Sequence, residues 1–122
     1  LSVISDISKL DEYSLSNWIN TIHPGRIPKG SIDKPPSAEL SPGQVDPFDY
    51  NIVSPIVDAI IEDGKTDIDL KKSGLEKDLV DLLYRKVRMS EFKRRQAAPG
   101  LRVSTKAFGI GRRFPIVNHF EN

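Results

Sequence analysis

Six prolines and three glycines fall within residues 24–51, and this density excludes a helix or a strand over most of the stretch. Each proline lacks the N–H that a helix or a sheet would use, and it restricts the residue before it. A loop of this length in a chain of 122 residues is typical of a binding loop, a lid or a linker. Residues 1–23 are too few to form a folded unit of their own, so we predict a lid.

The residues before this loop are predicted to form a strand end and one helix. Alternating apolar residues in LSVISDISK indicate a strand that runs into a loop. From Ser8 onward apolar residues recur at helical spacing, which predicts a helix near residues 9–21 with Ser8 as its cap. Pro24 and Gly25 are expected to end it.

Residues 52–96 are predicted to be helical, and the first helix there is marked by Ser54 and Pro55. These two residues are expected as the N-cap and the first helical residue, with Gly64 as the stop. Its predicted buried face is Ile56, Val57, Ile60 and Ile61.

A second and a third helix are predicted after Gly74, which separates them from a short turn, DIDLKKS. The apolar face of the second helix is Leu75, Leu79, Leu82, Leu83 and Val87. Ser90 and Glu91 are expected to cap the third helix, which carries Phe92 and the basic run 93–95.

Residues 97–122 lack helical periodicity and are predicted to form an irregular basic tail. We predict that residues 1–122 belong to a single domain segment. Residues 85–122 hold 10 basic and 2 acidic side chains, whereas residues 1–84 hold 8 basic and 15 acidic ones. Such a cationic block suggests a polyanionic partner, either nucleic acid or the phosphates of a nucleotide.

Several classes of site and of location are excluded by what the sequence lacks. There is no cysteine, and the two histidines, His23 and His119, are far apart, so disulfides, zinc sites and catalytic triads are not supported. No apolar run approaches the roughly 20 residues that span a bilayer, and the first residues do not resemble a signal peptide, which predicts a cytoplasmic protein. The apolar start without methionine suggests a piece of a longer protein.

Two stretches have residue types suited to anions. In residues 108–113 two glycines precede Arg112 and Arg113, an arrangement that suits a phosphate, although a plain turn is favoured. In the run 93–95 the three cations cannot all face one way. Two interpretations are equally supported: the cations interact with the helix dipole, or Lys93 beside Phe92 binds a phosphate, a carboxylate or a stacked base.

A third candidate lies in the proline-rich loop. The hydroxyl of Ser37 has the chemistry to contact a phosphate or a metal-bound water, and Glu39 has the chemistry to contact a metal or a ribose. From the residues alone, a Ser37 that caps a short turn after Pro36 is favoured.

Taken together, KPPSAELSPGQ, PIVDAIIED and EFKRRQAAPGLRVSTKAFGIGRRFPI resemble the C-terminal part of NAD synthetases, more the glutamine-dependent bacterial form than the short ammonia-only form. The resemblance covers nearly all of the chain. It implies the mainly helical C-terminal portion of a Rossmann-like α/β domain of the adenine nucleotide alpha hydrolase type, with long irregular loops.

The same resemblance implies a reaction and a set of contacts. Deamido-NAD and ATP form an adenylate with the help of Mg²⁺, and ammonia then displaces AMP to give NAD. By position, Lys9 and Ser37 match residues that contact ATP, the latter in a lid, and Lys93 matches the lysine that holds deamido-NAD. At Phe92 the short form commonly has histidine, so no polar contact is carried over to that position.

The family's Ser-Gly-Gly-x-Asp-Ser loop and its glutaminase domain are absent from these 122 residues. The chain alone is therefore expected to be inactive, to depend on upstream parts of the protein for most Mg²⁺ contacts, and to self-associate through apolar surface. Two other classes stay open: a nucleic-acid-binding module built on the basic block, and a tail after Ala97 that serves only dimerisation.

Overall fold

Six helices follow one another in the computed structural model, which describes residues 1–116, and no strand occurs among those residues. The helices are α1 (Lys9–Ile22), α2 (Lys29–Asp33), α3 (Tyr50–Ile61), α4 (Asp67–Lys72), α5 (Lys77–Met89) and α6 (Glu91–Gln96). The mainly helical prediction is confirmed. The last part of the predicted tail, residues 117–122 with His119, lies outside the described residues.

The prediction of a strand end before α1 is wrong, because the structure has no strand in residues 1–8. Ser2 forms an isolated parallel bridge with Gly100, and its N–H donates to the carbonyl of Pro99 at 2.9 Å. A strand is stabilised by repeated pairing with a neighbour, and this segment has a single bridge within residues 1–116. The segment instead forms turns that lead into α1.

Helix α1 begins and ends where the local signals indicate. The hydroxyl of Ser8 accepts the N–H of Asp11 at 3.2 Å, which caps the helix. After Ile22 the chain turns through Pro24, and the side chain of Asn20 holds the turn by pairing with both the N–H and the carbonyl of Ile27 at 2.9 Å. None of the α1 residues is buried, and Trp18 is 57% exposed.

Helix α3 begins earlier than predicted, which corrects the roles given to Ser54 and Pro55. Asp49 is the N-cap, and its carboxylate accepts the N–H of Asn51 at 2.9 Å, so Pro55 lies inside the helix and Ser54 is buried. Pro55 is the sixth of the twelve residues of α3, where its missing N–H costs the helix one backbone hydrogen bond, and its side chain is exposed.

The core lies between α3, α4 and α5. It is formed by six buried residues, Val53, Ile56, Ile60, Leu70, Val80 and Leu83. Ile56, Ile60 and Leu83 were predicted, whereas Val53, Leu70 and Val80 were not, and Leu82 is 42% exposed. Leu70 was missed because DIDLKKS was predicted as a turn, whereas the structure forms helix α4 there. The earlier start of α3 explains Val53, because it adds one turn to the apolar face of the helix. Helix α1 packs on α3, and α6 packs on α5.

Helices α3 and α4 each end shortly before a glycine. Gly64 and Gly74 both adopt positive φ, at 66° and 89°, and they follow the ends of α3 and α4. Ser90 precedes α6 as expected, but its side chain makes no capping hydrogen bond. Residues 97–116 contain no helix. No helix in the described part of the chain has the length and apolar character to cross a membrane.

Candidate functional site

The proline-rich loop contains a compact, internally bonded segment. The carbonyl of Pro36 accepts the N–H of Asp46 at 2.8 Å, which closes the neck of the segment. Within it, the side chain of Gln44 accepts the N–H of Leu40 at 2.9 Å. Tyr50, the first residue of α3, donates its hydroxyl to Asp46 at 2.7 Å, so the segment is tied to the helical core. Burial and the hydrogen bond to Asp46 raise the pKa of Tyr50 to about 12.

Ser37, a half-buried residue, lies at the start of this segment. The Oγ atom accepts the N–H of Glu39 at 3.0 Å, which is the turn-capping geometry that the residues alone favour. Glu39 has φ of +52° and pairs with Lys34. A groove of about 540 Å³ runs along this segment and is lined by Ser37, Glu39 and Lys34 among others. The loop thus places a hydroxyl and a cation along one groove.

Lys9 occupies the first position of α1. Its ammonium donates to Glu12 at 2.7 Å and lies 6.0 Å from the ring centroid of Tyr13, and its side chain is 39% exposed. An ion pair on an exposed helix surface is weak, since solvent screens it. Lys9 can therefore exchange Glu12 for a stronger anion without a large loss of free energy.

The run 93–95 divides its three cations between two environments. Arg94 and Arg95 donate to the carboxylate of Glu91, which is 1% exposed, at distances between 3.0 and 3.2 Å. Lys93 is exposed, with its ammonium 5.9 Å from the ring centroid of Phe92. The prediction that the three cations cannot share one direction is confirmed. Lys93 and Arg95 are both exposed, and Lys93 is the member that makes no ion pair within residues 1–116.

The charge of Glu91 is stabilised where it is buried. Burial raises the pKa of its carboxyl, but the backbone N–H of Phe114 and the guanidinium groups of Arg95 and Arg94 outweigh burial and hold the pKa below its ordinary range. The carboxylate therefore stays ionised and joins α6 to the tail.

The predicted anion-binding pair, Arg112 and Arg113, is also divided. Arg112 donates to Glu62 at 2.9 Å, to Asp6 at 3.5 Å and to the carbonyl of Lys106 at 2.6 Å. Its charge is engaged by two carboxylates of this chain, so its observed role is to hold the tail on the helices. Arg113 is exposed, and the anion-binding prediction stays a prediction for that residue.

The glycine-containing stretch 108–113 forms a turn. Gly109 has φ of +88°, and a Cβ on Gly111 would lie 2.6 Å from the backbone nitrogen of Ala107. The N–H groups of Phe108 and Gly111 donate to Asp6 and to the carbonyl of Ala107. These N–H groups already have partners, so the plain turn, rather than a phosphate cradle, is what the described geometry supports.

Asp6 is a structural residue that the sequence reasoning missed. Its carboxylate is 4% exposed and accepts the N–H groups of Val103, Ser104 and Phe108 at 2.6–2.8 Å. Burial raises the pKa of Asp6, but these backbone donors, with Ser104 first among them, lower it overall to about 2. The signal in the sequence was that Asp6 is the one acid within an otherwise uncharged, partly apolar segment. Glu91 gave a similar signal, because it is the only acid between residues 85 and 116.

The three residues carried over from the resemblance each have their own local partners. Among the described residues, no hydrogen bond or ion pair joins Lys9, Ser37 and Lys93 to one another. No group of three or more His, Cys, Asp or Glu side chains within residues 1–116 is placed to hold a metal ion.

Comparison with known proteins identifies a family and several relatives of this chain. The NAD synthase family model matches residues 1–97. The glutamine-dependent NAD(+) synthetase of Synechocystis sp. is 40% identical over 126 residues, which cover 98% of this chain and 22% of that protein. The enzyme of the same name from Thermotoga maritima is 36% identical over 98% of this chain and 22% of its own length.

A solved structure agrees with these relatives. The glutamine-dependent NAD+ synthetase from Acinetobacter baumannii, solved in complex with adenosine diphosphate, superposes with a TM-score of 0.54 at 30% identity over 93% of this chain and 20% of that chain. The chain thus spans about a fifth of the length of the relatives it matches. These matches give the class of protein, a synthetase. More particularly, the chain belongs to the NAD synthase family.

Proposed function

We propose that this chain is part of a cytoplasmic glutamine-dependent NAD synthetase, which converts deamido-NAD to NAD at the expense of ATP. The observation that carries the proposal is the NAD synthase match over residues 1–97, together with relatives at 32–40% identity that bear this name. The remainder of the synthetase and a glutaminase domain would be supplied by the rest of the protein.

The reaction proceeds in two steps. The carboxylate of deamido-NAD attacks the α-phosphorus of ATP, the bond to the β-phosphate oxygen breaks, and pyrophosphate leaves. Ammonia then attacks the carbonyl carbon of the adenylate, AMP leaves, and loss of a proton from nitrogen gives the amide. Both steps move negative charge onto phosphate oxygens, so cations and hydroxyl donors near the phosphates lower the barrier.

Lys9 and Ser37 are assigned to ATP. The ammonium of Lys9, on a side chain that is 39% exposed, has Glu12 as its one charged partner within residues 1–116, so a polyphosphate with higher charge competes well for it. Ser37 is half-buried and lines the groove of the proline-rich loop. A lid that closes over ATP would exclude the water that hydrolyses the adenylate.

Lys93 is assigned to deamido-NAD. The side chain is exposed at the surface of α6, whereas its two basic neighbours are engaged by Glu91. An ammonium beside an aromatic ring suits an anion that also has a flat ring. Deamido-NAD provides both features.

A nucleic-acid-binding role for the basic block is not favoured. Arg94, Arg95, Arg102, Lys106 and Arg112 all donate to atoms of this chain, so much of the positive charge is used in folding. If binding to random-sequence DNA were a function, its affinity would be high at low salt and would fall steeply as salt is raised.

The test is formation of NAD from deamido-NAD, ATP and ammonia by the full-length protein, with wild type compared with Lys93→Ala. Loss of a charge-assisted contact is worth about 2 kcal/mol, so we expect the KM for deamido-NAD to rise about 30-fold while the KM for ATP changes little. Lys77→Ala is the matched control, because Lys77 is an exposed lysine at the start of α5. A full-length protein that makes no NAD would contradict the proposed function.

A further inference from the structure

Helix α6 is six residues long, which is too short to keep its own orientation in water. It nevertheless carries three consecutive cations that differ sharply in exposure. The Arg94 side chain is 8% exposed, the Arg95 side chain is 51% exposed, and Lys93 faces solvent. A contact outside the helix backbone must therefore determine which of the three cations is paired and which is available to a ligand.

That contact is centred on Glu91. Its Oε2 atom accepts from the Nε and Nη2 atoms of Arg94 at 3.2 and 3.1 Å, and its Oε1 atom accepts from Nε of Arg95 at 3.0 Å. The backbone N–H of Phe114 is a further donor to the same carboxylate. A carboxylate has acceptor sites for all of these donors.

The two arginines extend the cluster to α5 and to the tail. Arg94 donates to the carbonyl of Val87 near the end of α5 at 2.7 Å, and its guanidinium lies 5.6 Å from the ring centroid of Phe114. Arg95 donates to the carbonyl of Phe114 at 3.4 Å. The direction of α6 is thus set by contacts with two other segments rather than by the helix itself.

We infer that Glu91 is a positioning residue for deamido-NAD: by pairing with Arg94 and Arg95 and holding them to α5 and the tail, it leaves Lys93 as the cation of α6 that has no ion pair within residues 1–116 and can bind the dinucleotide. This inference rests on the proposed function and on the assignment of Lys93 to deamido-NAD. Glu91 itself is 1% exposed and does not touch the substrate.

The negative charge of Glu91 is essential to this role, and Glu91→Gln removes it with little change of shape. One acceptor oxygen becomes an NH₂ donor that faces a guanidinium, so one of the two arginines loses its partner. The unpaired arginine then competes with Lys93 for solvent and for anions, and α6 loses its single orientation.

The experiment is a double-mutant cycle in the full-length protein, with Glu91→Gln, Lys93→Ala and the double variant assayed for NAD formation from deamido-NAD, ATP and ammonia. We expect Glu91→Gln to raise the KM for deamido-NAD about 10-fold and the KM for ATP less than about 2-fold. In the Lys93→Ala background, Glu91→Gln is expected to have almost no further effect, because it acts through Lys93.

The control is Glu76→Gln, because Glu76 is an exposed acid whose side chain makes no capping contact. Equal increases in both KM values, or the same effect of Glu91→Gln with and without Lys93, would overturn the inference in favour of a general structural role. If Glu91→Gln does not fold, Arg95→Gln is judged by the same criteria, because it removes one donor of the cluster at a half-exposed position.

The outcomes for the two proposals are distinguishable. A wild-type protein that makes no NAD overturns the proposed function and the inference with it. A wild type that makes NAD, with an unaffected Lys93→Ala, keeps the proposed function and overturns the inference. A wild type that makes NAD, with a selective and non-additive effect of Glu91→Gln, supports both.

Discussion

The carboxylate of Asp6 accepts the backbone N–H of Phe108 at 2.6 Å, although 102 positions of sequence separate the two residues. The same carboxylate accepts the N–H groups of Val103 and Ser104. One buried acid at the start of the chain therefore organises a segment near its other end. Since Lys9 follows three residues later, the anchor also lies beside a residue assigned to ATP.

We predict that Asp6→Asn destabilises the chain in a pH-dependent manner. The pKa of Asp6 is lowered from 3.8 to about 2 in the folded chain. A lowered carboxyl pKa stabilises the fold above the unfolded pKa, and this stability, about 2 kcal/mol, is lost as the pH falls from about 4 towards 2. Urea unfolding followed by circular dichroism at pH 7 and at pH 3 measures it.

The difference in free energy of unfolding between wild type and Asp6→Asn should be smaller at pH 3 than at pH 7. Asp63→Asn is the control, because Asp63 is exposed beyond the end of α3. An Asp6→Asn variant with wild-type stability at pH 7 would contradict the proposed anchor.

We predict that the adjacent arginines differ in their effect on stability. Arg112→Ala removes contacts with Glu62, Asp6 and the carbonyl of Lys106, and it leaves partly buried carboxylates without their cation. The melting temperature should fall by about 5 °C or more. Arg113→Ala, at an exposed position, should leave it within about 2 °C of wild type. Equal melting temperatures for the two variants would contradict the structural role of Arg112.

We predict that Val80→Ala lowers the free energy of unfolding by about 2 kcal/mol. Val80 is 0% exposed in the core between α3, α4 and α5, so the change removes buried methyl groups and leaves a cavity. Urea unfolding measures the loss. Leu40→Ala is the control, because Leu40 is 84% exposed at the tip of the proline-rich loop, and it should change stability by less than about 0.5 kcal/mol.

We predict that Ser37→Ala in the full-length protein raises the KM for ATP about 5-fold and leaves the KM for deamido-NAD nearly unchanged. The variant removes the hydroxyl assigned to ATP and the acceptor of the Glu39 N–H, so the loop also loses a turn contact. Ser41→Ala is the matched control, because Ser41 contributes a backbone carbonyl rather than its side chain to the same loop. A Ser37→Ala variant with wild-type KM values would remove Ser37 from the site.

Much of the helical architecture could be predicted because its signals are local. A cap such as Ser8, and the stops at Gly64 and Gly74, act on the turn of backbone next to them, so the sequence is enough to locate them. The start of α3 was missed although Asp49 is a good cap, because Ser54 followed by Pro55 matched a stronger local pattern.

The candidate site was predictable in part. The chemistry of Lys9, Ser37 and Lys93 follows from their residue types and from the resemblance to a family, and their roles stay predictions. Which cation of the run 93–95 is left without an ion pair was not predicted, because it depends on the burial of Glu91 against the tail and on its pairing with Arg94 and Arg95. Periodicity in a short basic helix does not distinguish a paired guanidinium from an exposed ammonium.

The sequence by itself determined the longer helices, most of the irregular proline-rich loop and the imbalance of charge, since propensity, capping and proline geometry operate over a few neighbouring residues. The short helices α2 and α4 were not predicted. Only the tertiary structure decided how the basic tail is used. Asp6 accepts backbone N–H groups about 100 residues away, and Glu91 pairs with two arginines of its own helix while it accepts the N–H of Phe114 in the tail. Together these donors outweigh the cost of burying the two carboxylates. Such pairings depend on the path of the whole chain, which no local pattern encodes.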